Sequence, residues 1–198
     1  MFGAALRVLY ITSLVSVASA SSWSQQQKLT ASDADNYDSF GMSVSISGDY
    51  AVVGAYADDD AGGQSGSAYI FVRNGTAWTE QQKLTASDAA SSDQFGRSVS
   101  ISGDYAVVGA HQNAGAGSRS GSAYIFVRNG TTWTEQEKLT ASDAASGDYF
   151  GSSVSISGDY AVVGAYADND AGSQSGSCLL YTSPSPRDRT RSRMPSSA

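Results

Sequence analysis

The chain repeats itself at an interval of 55 residues: Trp23, Trp78 and Trp133 are spaced this way, and so are Phe40-Gly41, Phe95-Gly96 and Phe150-Gly151. Between 40–84 and 95–139, 35 of 45 positions are identical. Whatever one unit folds into, its neighbour must fold into too. A fixed period of this size belongs to stacked supersecondary units, each of which buries its apolar face only against the next.

Each unit reads as four strands. "SVSIS" (43–47) alternates small polar and β-branched residues, so Val44 and Ile46 share a face. Gly48-Asp49 makes a two-residue turn, and "YAVVGA" (50–55) returns as the second strand. The glycine-rich loop "YADDDAGGQSG" leads to "SAYIFVR" (67–73), rich in aromatic and β-branched residues. Asn74-Gly75, repeated as Asn129-Gly130, signals a hairpin into "TAWTEQQKL" (76–84), whose Trp78 and Leu84 stand among polar residues as on an outer strand. Four antiparallel strands per unit, repeated radially, make the blade of a β-propeller, an all-β fold. Gly41, Gly54 and their counterparts suit close strand approach near a crowded axis.

Composition narrows the chemistry. With 12 basic against 19 acidic residues the net charge is -7, and no basic face offers itself to nucleic acid. A single cysteine, Cys178, excludes a disulfide framework or a cysteine-built zinc site. His111, the one histidine, stands where the other units have Tyr56 and Tyr166, so it reads as loop packing, and no Ser/His/Asp constellation can recur.

Both ends differ from the repeat. Residues 1–20 read as a secretory signal: Arg7, an apolar run at 8–17, and Ala18-Ser19-Ala20 as a cleavage site. Residues 178–198 hold the only Cys, all three Pro and four of the 12 basic residues. This segment is expected to be a disordered tail, and it looks like the in-frame translation of a transposase-type sequencing adapter. The repeat region is then 21–177, with an outer strand at 23–29, blades at 40–84 and 95–139, and a partial blade at 150–177.

The string "FGxSVSISGDYAVVGA", then a glycine-rich loop and "GSAYIFVR", resembles the FG-GAP repeat of integrin α-subunit heads and related extracellular propellers. The resemblance implies a propeller that usually closes with seven blades, of which this chain would be an incomplete fragment, truncated and with an open edge. Such a fragment alone is expected to be marginal or aggregation-prone. Integrin-type blades often hold calcium in an Asp-rich loop between their first two strands. Here that connection is only Ser47-Gly48-Asp49, so the family's metal site does not carry over.

Other carboxylates remain. In a four-strand meander the loops 56–66 and 85–94 share one end of the blades, opposite the short turns. Seven of the ten differences between the two full units fall within 56–64. Uniform strands with a variable loop suit a partner-binding surface, although drift gives the same pattern. Asp58, Asp59, Asp60, Asp168 and Asp170 are the ligand-binding candidates on it. Asp pairs five apart recur as Asp33/Asp38, Asp88/Asp93 and Asp143/Asp148, either capping turn amides or ligating calcium, the one cofactor worth considering. Asn74 and Asn129 lie in glycosylation sequons.

The expected function is a secreted or cell-surface, non-enzymatic binding or adhesion module. Its loop face would meet an extracellular protein or glycan, with no nucleic-acid partner and no membrane insertion. The alternative is the scaffold portion of a larger secreted hydrolase or a matrix protein.

Overall fold

The computed structural model describes residues 22–183, so the expected signal segment and most of the expected tail lie outside the described residues. Among the described residues eleven strands form three antiparallel sheets. The first blade contains β1 (Val44–Ser47), β2 (Tyr50–Ala55), β3 (Ser67–Asn74) and β4 (Ala77–Leu84). The second contains β5 (Phe95–Ser102), β6 (Tyr105–Ala110), β7 (Ser122–Asn129) and β8 (Thr132–Leu139). The third contains β9 (Phe150–Ser157), β10 (Tyr160–Ala165) and β11 (Ser177–Thr182). Each sheet is a simple meander, as its short turns dictate, and no helix occurs among the described residues.

The hairpins form where the sequence signals them, with one shift of register. Asn74 pairs with Ala77, so the two-residue loop is Gly75-Thr76 and Asn74 ends the strand. Gly75 has φ 63° and Thr76 is not left-handed, the II′ arrangement with glycine at the first central position. Gly48, at φ 58°, plays the same part between β1 and β2.

Blades pack face to face through contacts that only glycine permits. A Cβ on Gly54 would lie 1.9 Å from the Gly96 carbonyl oxygen, and one on Gly109 would lie 2.0 Å from that of Gly151. Gly66 and Gly121 form parallel bridges to Phe95 and Phe150 of the following blade. The Phe-Gly pair thus has two jobs. Its glycine lets two blades touch, while its ring packs inside its own blade, with Phe95 edge-on to Tyr124 at 5.4 Å and to Phe126 at 6.0 Å.

The innermost strands explain the Ser-x-Ser alternation. Ser43 Oγ accepts from Val99 N–H at 2.9 Å, and Ser45 Oγ from Ile101 N–H at 3.2 Å. Ser100 does the same for Ile156 at 3.1 Å. Serines therefore face the following blade, and the Val and Ile between them face the preceding one. Val99 and Ile101 are buried together with Val52 and Ile70 of the first blade. Val44 and Ile46, which no other blade covers among the described residues, are 66% and 65% exposed.

Two expectations are corrected. Residues 23–29 adopt no strand and join none of the three sheets. They run beside β4, where Gln27 holds the Trp78 backbone: its Nε2 donates to the carbonyl at 2.8 Å and its Oε1 accepts from the N–H at 2.9 Å. Gln82 of β4 grips Trp133 of β8 in the same way, at 2.7 and 2.8 Å. Conversely, the expected disordered tail does not begin at Cys178: the first residues of 178–198 continue the fold as β11, paired along the whole of β10. The reason is local. Leu179 and Tyr181 fall at the inward positions of Tyr124 and Phe126, and Tyr181 meets Phe150 edge-on at 6.1 Å.

Candidate functional site

The β2–β3 loop and the segment entering each blade meet at one end of the sheets. In the first blade they bring Asp33, Asp58 and Asp60 around Lys83 of β4. The Lys83 ammonium lies 2.7 Å from Asp33 Oδ2 and 2.9 Å from Asp58 Oδ2, and it also pairs with Asp60. Tyr69, the cross-strand partner of Lys83, donates its hydroxyl to Asp33 at 2.8 Å and to Asp58 at 2.9 Å. Lys83 also passes over the Tyr69 ring, 5.3 Å from its centroid.

The electrostatics follow from burial set against pairing. Burial pushes the Asp33 and Asp58 carboxyls up, but hydrogen bonds from Lys83 and Tyr69 outweigh it and hold both below the ordinary carboxylate value. Burial likewise disfavours charged Lys83, and its bonds to the three carboxylates reverse this and raise it above the usual lysine range. Tyr69 is raised by burial first, with the neighbouring carboxylates adding to the effect. A cation is therefore built into this cluster. Asp33, Asp58 and Asp60 have the spacing of a metal set, yet the ammonium already holds the position between them.

The second blade keeps the frame and loses charge. Asn113 and Gly115 replace Asp58 and Asp60. Lys138 pairs with Asp88 at 2.5 Å and donates to Asn113 Oδ1 at 3.0 Å, while Tyr124 donates to Asp88 at 2.7 Å. The third blade keeps the carboxylates and loses the cation. Asp143, Asp168 and Asp170 gather with oxygens within 4.8 Å of one another. Leu179 stands at the tyrosine position, and among the described residues no lysine reaches them. The charge of Asp168, then a hydrogen bond with Asp143, pushes the Asp170 carboxyl up. Asp168 is held low by the Ser177 hydroxyl, which donates to it at 2.6 Å.

The Asp pairs divide their labour. The second member caps a turn: Asp38, Asp93 and Asp148 accept from the N–H groups of Asp35, Ala90 and Ala145 at 2.6, 3.0 and 2.6 Å. The first member, Asp33 or Asp88, turns to lysine, and Asp143 joins the third cluster. Asp59 is exposed, and its carbonyl accepts from Gly62 N–H. Lys83, Lys138, Tyr69 and Tyr124 are not among the candidates that the sequence suggests, although "KL" ending each fourth strand at constant distance from its Trp is a signal for the lysines. Asn74 and Asn129 are exposed at the opposite end of the blades.

His111 is buried, 5.7 Å from the Tyr149 ring, and its Nδ1 has no partner among the described residues. Burial first, and then the charge of Arg97, depress its pKa to about 4, so it is neutral at physiological pH.

The family model described as "FG-GAP repeat" matches residues 23–71, 78–126 and 133–181. Each matched unit starts at a tryptophan on one blade's outer segment and ends in the third strand of the next. The third match runs through most of β11, to Tyr181. No curated protein matches the chain.

Proposed function

The chain belongs to the FG-GAP repeat family and builds β-propeller-type blades, and on that premise we propose that it is a non-enzymatic extracellular binding or adhesion module. Its partner is a protein or glycan that meets the end of the blades carrying the β2–β3 loops. One observation carries this reading. Seven of the ten differences between the two full units lie within 56–64, on strands that hold their loops in the same place. The substitutions change the character of the surface, from a lysine-centred carboxylate cluster in the first blade to a nearly neutral amide cluster in the second. A rigid frame that varies only its loops is how many binding scaffolds present different chemistry from one fold. No helix among the described residues is long and apolar enough to cross a membrane.

The test replaces residues 56–64 with the sequence of 111–119 and probes both chains against extracellular-matrix proteins and glycans. Binding that is salt-sensitive and altered by the exchange, at unchanged thermal stability, is the expected result. Binding that ignores the exchange, or no binding to any of the panel, overturns the reading.

A further inference from the structure

Three of the ten differences between the two full units bring a basic side chain or an imidazole to the second blade: Arg97 for Met42, His111 for Tyr56 and Arg119 for Gln64. Three more remove carboxylates from the same end of the blades, since Asn113, Ala114 and Gly115 replace Asp58, Asp59 and Asp60. Resting on the binding role proposed above, we infer that this end of the second blade binds an acidic glycan. Its carboxylate or sulfate groups meet Arg97 and Arg119, and its sugar rings lie against Tyr149 and Tyr56.

The backbone brings these side chains together. Arg97 sits in a β-bulge of β5, where Phe95 pairs with Ala110, Ser98 pairs with Gly109, and the two residues between are unpaired. A bulge re-aims the side chain it carries, and Arg97 lies over the Tyr56 ring of the first blade, 5.4 Å from its centroid. Beyond the effect of burial, the Arg97 charge disfavours protonation of His111, whose ring is 5.7 Å from that of Tyr149. Tyr149 N–H donates to the Arg119 carbonyl at 3.1 Å, and Arg119 Nη1 donates to the Tyr149 hydroxyl at 3.4 Å. Rings and guanidiniums thus form one series across two blade junctions, both complete within the described residues. At the first junction Gln64 and Gln94 hold the places of Arg119 and Tyr149, and their amides bond each other at 3.3 Å without charge.

Both guanidiniums are available to an anion. Among the described residues Arg73 and Arg128 pair with Asp49 and Asp104, whereas Arg97 and Arg119 pair with no carboxylate. Acids near them in sequence are occupied: Asp93 accepts from Ala90 N–H and from the Asn113 amide at 2.9 Å, and Asp148 accepts from Ala145 N–H. His111, 8% exposed, leaves Nδ1 unpartnered among the described residues, a polar atom that the fold itself does not use. A guanidinium gives a carboxylate or sulfate two parallel N–H bonds. A sugar ring sets its C–H groups against an aromatic face and its hydroxyls against the tyrosine O–H. An acidic peptide would satisfy the guanidiniums without needing the rings between them. The net charge of -7 repels an acidic partner, but at physiological salt that field decays over roughly 8 Å, so the guanidiniums set the sign at the patch.

Titration calorimetry of the full chain tests this with a heparin-derived hexasaccharide, hexagalacturonate, cellohexaose and hexaglutamate. The first two separate sulfate from carboxylate as the source of charge. At least one of them should bind, more weakly as salt rises, and at least tenfold tighter than cellohexaose or hexaglutamate. Arg97→Ser with Arg119→Gln, and separately Tyr149→Gln, install residues that other units carry at the same positions, so circular dichroism and thermal melting should match the parent. Each variant should bind the acidic sugar roughly tenfold or more weakly. Failure of both acidic sugars to bind, equal binding of hexaglutamate or cellohexaose, or variants that bind like the parent would each overturn the proposal. A chain that binds a protein or neutral glycan through 56–64 and neither acidic sugar keeps the broader reading and loses this one. Acidic-sugar binding that needs Arg97 and Arg119 but ignores the 56–64 exchange keeps only this one.

Discussion

The junction between the first and second blades and the junction between the second and third use nearly the same residues and reach different burial. At the first, Trp133 closes the outer end, and Val99 and Ile101 are 6% and 5% exposed. At the second, Val154 and Ile156 are only partly buried and the tryptophan position opens into a cavity. Identical side chains thus contribute according to what stands beside them. In a stacked-sheet protein, stability resides in junctions more than in blades.

That comparison can be broken most forcefully at the tryptophans. Trp133→Ala should cost about 3–5 kcal/mol, the range for emptying a buried aromatic site. Trp78→Ala, at a half-covered position, should cost less, and Trp23→Ala should leave the melting temperature unchanged. Thermal or urea unfolding of the three variants checks the order; equal losses would mean that the tryptophans act within their own blades.

The glycines come next. Gly54→Ala drives a Cβ into the Gly96 carbonyl and should destabilise by about 3 kcal/mol, at the upper end of overpacking costs. Gly41→Ala meets no atom within 4 Å and carries only its left-handed backbone penalty, about 1–2 kcal/mol. Urea denaturation of the pair ranks them; a larger loss at Gly41 would mean that close blade contact does not depend on the missing Cβ of Gly54.

Acid sharpens the contrast between repeats at their one histidine position. Folded His111 is neutral with a pKa of about 4, against 6.5 when unfolded, so the unfolded state binds the extra proton. Stability should fall as pH drops from about 6.5 to about 4, by roughly 3 kcal/mol at most, and stop changing through this group below that. His111→Tyr, which restores the residue of the other two units, should flatten urea-denaturation stability across this window. The paired carboxylates act lower, below their ordinary values, and so remain distinguishable.

The smallest effect separates the two ends of the serine ladder. Ser45→Ala removes the acceptor for Ile101 N–H and should cost about 1 kcal/mol. Ser155→Ala lies on the open side of the third blade and should change stability by less than about 0.5 kcal/mol. Equal costs would show that the serines act within their own strand.

Much of the fold is legible in the sequence because its signals are local. β2 begins and ends where "YAVVGA" does, since its turn and glycine loop fix both limits. The turn after Asn74 lies one residue later than the dipeptide suggests, because Asn-Gly announces a hairpin without stating which two residues occupy it. β11 escapes a sequence reading for a different reason. Its residues depart from the repeat, but inward positions ask only for apolar bulk, and Leu179 and Tyr181 provide it. The site is half legible: aspartates stand out in a sequence, whereas the lysine and tyrosine that meet them come from strands whose proximity depends on the sheet.

The amino-acid sequence alone determined the unit: its period, its strands, its turns and the glycines that permit close stacking, all encoded within a few residues of where they act. Tertiary structure decided which aspartates share a cation, which Val and Ile are buried, and which serines bond across blades. Those outcomes depend on the presence of a neighbouring sheet, and residues identical in every repeat cannot carry that information.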